Sequence, residues 1–170
     1  MIKGITYRHP WAVAVAWLHK DIENRLWHPQ SKEGQIGMYL AIHGGGTPVY
    51  QYQDEFDDDL EWLLELLSDP QERQGFSAAE EQHWQNFLST GDTRHWITPG
   101  IVAVAQVSAV TRGHRSHWAA RNQFNWVLTG TVRLPTPVRP GPGLKKNLWD
   151  LDEHTLREVR RQYALGRKAA

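Results

Sequence analysis

The sequence contains no cysteine, which removes disulfides, zinc–thiolate centres and thiol catalysis together. Long apolar runs are missing too. The longest, Trp11 to Leu18, falls far short of the roughly 20 residues that a membrane-spanning helix needs. Met1 to Ile5 lacks the apolar region of a signal peptide, so the expectation is a soluble, cytoplasmic protein. No glycine-rich loop of a recognised phosphate-binding spacing occurs, and Gly44-Gly45-Gly46 by itself specifies nothing. The nine histidines include no His-x-x-x-His on a helix. His114 and His117, with no acidic neighbour, make a weak pair, so neither a metal nor another cofactor is expected.

An excess of one charge is also absent, since 19 Lys/Arg balance 19 Asp/Glu. The balance conceals a segregation. Residues 1–53 carry +2, residues 54–92 carry −11 and residues 93–170 carry +9. Asymmetry of this size points to a basic working surface beside an acidic segment. Scattered solvated charge is the plainer alternative. At 170 residues the chain is expected to form one domain with a real core. Nine tryptophans are expected mainly in that core, because an indole buries a large apolar area. One or two of them could serve as stacking platforms for bases.

Residues 2–7 read as a strand. Pro10 then opens a short helix over 10–19 that carries Trp11, Val13, Ala14, Trp17 and Leu18 at helical spacing. Residues 22–27 read as extended, and 37–43 as a buried strand. In the acidic segment Phe56, Leu60, Leu63, Leu64 and Leu67 form one apolar stripe. Ser77 and Glu80 match a capping box that opens a second helix with Trp84, Phe87 and Leu88. This pair, over about 54–92, reads as an insertion or lid. Pro99 to Val110 and Phe124 to Leu134 are strands, with Gly130 marking a bulge or bend. Pro135 to Gly143, with four prolines, is excluded as a central strand. A last helix over about 152–167 places Leu156, Val159 and Tyr163 on one face. Strands at both ends without βαβ alternation give an α+β fold, not a Rossmann fold.

Three segments carry a resemblance: Thr6-Tyr7-Arg8-His9-Pro10-Trp11-Ala12, Lys20-Asp21-Ile22-Glu23-Asn24-Arg25-Leu26-Trp27 and Leu40-Ala41-Ile42-His43. Together they resemble the ASCH domain, a relative of the PUA-like β-barrels. Gly100 to Val107, Asn125-Trp126-Val127-Leu128, Pro137-Val138 and Leu148-Trp149 follow in the family's order. The likeness covers nearly the whole chain except about 47–97. His9 stands where glutamine is usual, and His19 where glycine is usual. The resemblance implies a PUA-like/ASCH β-barrel with flanking helices, the acidic helices forming an insertion. It also implies nucleic-acid binding, RNA favoured and DNA possible, in a cleft beside the first helix.

The residues supply physical reasons for that role. Lys20 and Arg25 can neutralise phosphate, Arg25 with a bidentate fork. Asn24 offers a donor and an acceptor to a base edge. Arg8 sits at a strand-to-helix junction, and Trp11, Glu23, His9 and His43 are placed around the same cleft. Arg112-Gly113-His114-Arg115-Ser116-His117-Trp118, with Arg121 beyond, interleaves cations with an aromatic and suits a strand-tracking surface. Lys145 and Lys146 belong with it. Structural roles compete for the same residues: Trp11 packing the helix, Glu23 pairing with Arg25, His43 in the core, Asn24 shaping a turn. Two other classes stay open. Some ASCH-type proteins are amidohydrolases of acylated pyrimidine nucleosides, using a lysine with a threonine three positions on. Lys20 is present here, but Glu23 replaces the threonine, so a small hydrolase of RNA or modified nucleosides would use Lys20, Glu23 and His43. Alternatively, the acidic insertion binds a protein partner or folds over the cleft as a mimic of nucleic acid.

Overall fold

A computed structural model describes residues 1–46, 52–143 and 146–169; Lys145 lies outside them. The elements are β1 (Ile2–Tyr7), α1 (Trp11–Trp17), β2 (Ile22–Arg25), β3 (Tyr39–Gly44), α2 (Gln53–Ser68), α3 (Ala78–Thr90), β4 (Gly100–Thr111), β5 (Phe124–Val138), β6 (Leu148–Trp149) and α4 (Glu153–Ala169). Short 3₁₀ turns occupy Pro29–Lys32 and Thr93–Trp96. The six strands form one curled mixed sheet in the order β2-β5-β4-β3-β1-β6. Among the described residues, only the β1–β3 pair is parallel; the other pairs are antiparallel. The class is therefore α+β, a sheet curled toward a barrel with helices on its flanks.

Position in the core explains α1. Ala12, Val15 and Ala16 pack into the sheet's main cluster with Ile5, Leu40, Ile42 and Trp126. Val13, Ala14 and Leu18 face the opposite way, into a cluster built with Phe56, Leu60, Leu63, Leu67, Trp84, Phe87 and Trp96. A helix wedged between two apolar layers has no polar face to spare, which accounts for its run of Ala and Val. Its two tryptophans remain at its flanks, Trp11 on one side and Trp17 on the other.

The acidic helices are thus structural. The stripe on α2 is buried as its periodicity predicts, with Leu64 only partly covered. The Ser77–Glu80 capping box forms on α3, where Trp84 and Phe87 are buried while Leu88 stays exposed. The pair lies between β3 and β4 in the chain, and α2 and α3 share a core with α1.

β5 runs past the end expected at Leu134, through Pro135 and Pro137 to Val138, where β2 no longer flanks it and the stretch is not central. The prolines fit because little ladder bonding is asked of this stretch. β2 pairs only with residues 124–127, and the β4–β5 register breaks between the Arg133 and Val138 pairings. In the gap, the Thr136 N–H donates to Oε1 of Gln162 on α4, 3.2 Å away, and Gly166 packs onto the Arg133 carbonyl. Gly130, at φ +58°, lies in another register shift of the same ladder, as a bulge glycine should. α4 covers this side with Thr155, Val159, Gln162 and Gly166.

No helix among the described residues is long and apolar enough to cross a membrane.

Candidate functional site

β1 ends at Tyr7, α1 begins at Trp11 and β2 runs antiparallel to β5. The chain ends at these junctions surround a cleft of about 620 Å³. Arg8, Trp11, Lys20, Glu23, Asn24 and Arg25 all line it. Two further walls come from distant segments: Asp59 and Trp62 of α2, and His117 to Ala120 of the loop before β5.

Lys20 forms the floor. Its side chain is only 5% exposed. Its ammonium donates to the Ile22 carbonyl and sits 5.9 Å from the Trp11 ring and 6.0 Å from the Trp118 ring. Burial lowers its pKa, against the pull of Glu23 and Asp21. Glu23 is 4% exposed and accepts from Arg25 Nε at 2.6 Å. Arg25 also donates to the Thr6 carbonyl at 3.1 Å, and its guanidinium lies over the edges of Tyr7 and Trp27. Burial, then the charge of Glu23, push the Tyr7 hydroxyl well above its ordinary pKa, so it stays protonated.

Three indoles line the upper part. Trp62 packs on Trp11 with ring centroids 5.7 Å apart and on Trp118 at 5.9 Å. Trp118 is buried, while Trp62 is 41% exposed. Trp11 donates its indole N–H to Asp59 at 2.8 Å. Arg8 pairs with Glu55 and, at 2.9 Å, with Asp59. The anions at this junction are therefore the chain's own. Burial raises the Asp59 pKa despite Arg8 and Trp11.

Asn24 lines the cleft, but its amide holds the loop. Its Oδ1 accepts from the Ala120 N–H and from Asn125 Nδ2, each at 2.9 Å, and its Nδ2 donates to the Trp118 carbonyl at 2.7 Å. Buried Asn125 also donates to the Ala120 carbonyl and accepts from the His114 N–H. This amide pair fixes Trp118 in the cleft wall.

The remaining sequence candidates lie elsewhere. His9 is buried, with Nε2 3.1 Å from the Gly45 carbonyl, and desolvation lowers its pKa. His43 meets Thr6 at 3.1 Å and Trp149 edge-on, on the β1–β3 side. Arg112 stacks on Phe124 at 4.2 Å. Arg115 and Arg121 are exposed on the same loop, outside the lining. Sequence reasoning missed Asp59 and Trp62. A signal was present: Glu55, Asp59 and Trp62 repeat at i, i+4 and i+7, a second stripe beside the apolar one.

No family model matches this chain, and no curated protein does.

Proposed function

We propose that this chain is an ASCH-type, PUA-like domain that binds single-stranded nucleic acid, RNA favoured, by taking one base into the tryptophan-lined cleft. One observation carries the reading: three indoles and the cations Arg8, Lys20 and Arg25 line a single cleft of about 620 Å³. A volume in the range of small-molecule sites suits one nucleotide and not a duplex. Trp62 supplies a partly exposed stacking face, exposed Arg8 a contact for a flanking phosphate, and Arg25, shared with Glu23, a second. Glu55 and Asp59 then act as internal competitors for Arg8.

The test is fluorescence anisotropy of a labelled short RNA against salt. Two neutralised phosphates on a single strand give a slope of about −1.4 in log affinity against log salt. Trp62→Ala should weaken binding at least about fivefold. Absence of salt-dependent binding removes the reading.

A specific feature favours one alternative. A desolvated amine, Lys20, and a buried carboxylate, Glu23, share the cleft, a pairing suited to acid–base work on a bound nucleoside. Hydrolysis of an N-acylated cytidine by the full chain, lost in Lys20→Met, would support it. His9 and His43 take no part, since neither lines the cleft.

A further inference from the structure

On the other flank of α1, Trp17 opens onto a second pocket, of about 450 Å³. Its polar lining is basic: His83 from α3, Arg94 and His95 from the 3₁₀ turn, and Arg133 from β5. Among the described residues, no carboxylate lines it. Arg94 is exposed and committed to Asp92 at 2.6 Å. Arg133 has no ion pair among the described residues; its guanidinium lies 3.5 Å from the centre of the Trp17 ring. His83 stacks on the same indole, with centroids 4.4 Å apart and planes 9° from parallel. Its Nε2 is buried and has no hydrogen-bond partner among the described residues.

We propose that this pocket binds a phosphate group, held by the guanidinium of Arg133 and the imidazole of His95, with His83 in the wall beside them. Stacking fixes a guanidinium by its face and leaves its N–H edge free for a planar, forked contact with an oxyanion. His83 and His95 are neighbours, with ring centroids 5.9 Å apart, so an anion bound at His95 also changes the field at His83. The groups facing His83 are Trp17 of α1, His95 and Trp96 of the turn, and Arg133 of β5. Burial and the two neighbouring basic groups hold the His83 pKa down. A bound dianion reverses that effect, so binding draws a proton onto the imidazole and tightens as pH falls.

The site stands on its own geometry and is independent of the base-binding cleft. Inorganic phosphate titrated into the full chain, with the His83 and His95 ring resonances followed by NMR, is expected to give a saturable shift. Arg133→Gln should weaken the apparent affinity at least about tenfold. That change also removes the stack on Trp17, so His95→Gln is measured beside it and should weaken phosphate binding in the same direction. A short RNA distinguishes the source. Reduced RNA affinity in Arg133→Gln assigns the phosphate to a strand; unchanged RNA affinity, with phosphate binding lost, assigns it to a free small phosphate. Sulfate, whose charge is constant across neutral pH, should bind more tightly as pH falls. A shift that does not saturate, or that both variants leave unchanged, overturns the proposal. Failure of the nucleic-acid reading looks different: RNA does not bind while the phosphate titration is intact.

Discussion

Lys20 is the residue on which structure and function pull hardest against each other. Its amine is buried against two indoles and one backbone carbonyl, and burial disfavours its charged form. With its pKa lowered, the folded state binds fewer protons than the unfolded state between the folded value and 10.5. Its penalty is therefore fully present below the folded value and is relieved as pH rises from there to 10.5. Glu23 keeps Arg25 as its partner when Lys20 is removed. Lys20→Met is accordingly expected to raise stability by about 1 kcal/mol in urea unfolding, while weakening RNA binding at least about tenfold. Stability and affinity falling together would instead make Lys20 a structural residue. The role of Asn24 was illegible in the sequence for a simple reason: its hydrogen-bond partners lie 94 to 101 positions away, and no local pattern reports such contacts.

At the scale of elements, α2 has two faces with different duties. Phe56, Leu60, Leu63 and Leu67 belong to the core, and the apolar spacing predicted them. Asp59 and Trp62 line the cleft and Glu55 pairs with its Arg8, which the acidic composition hid by reading as solvated charge. Asp59 should act as a pH-dependent brake on Arg8. Because its pKa is raised, protonation begins above the ordinary carboxylate range and leaves Arg8 with Glu55 as its one remaining anion among the described residues. RNA affinity should therefore rise as pH is lowered toward that range. Asp59→Asn should show the higher affinity at neutral pH and lose that part of the pH dependence, by the same anisotropy measurement. The strands were legible where periodicity was clean, as in β1 and β4. The end of β5 was not, because whether a proline is tolerated depends on which backbone N–H groups the neighbouring strands need.

For the whole molecule, one short helix, α1, contributes to both the core of the sheet and that of the helical pair. Removing residues 54–92 would strip Phe56, Leu60, Leu63, Leu67, Trp84 and Phe87 from the cluster that covers α1, so point changes are the sounder test of the acidic helices. Trp84→Ala, at a fully buried position, should cost about 3–5 kcal/mol. Chemical denaturation monitored by circular dichroism should show the sheet and helices losing stability in one transition, because α1 belongs to both clusters. The segregated charge was visible from composition. Its placement was not: the sequence could not tell that two of the acidic residues would be spent on Arg8.

Trp62 and Leu63 are adjacent on one helix, the first at the mouth of the cleft and the second in the packed interior. Whatever settles against the indole thereby leans on the same turn that anchors the helix. Backbone amides across residues 53–90 should exchange with deuterium more slowly once RNA is present, giving a report of occupancy from atoms the guest never touches.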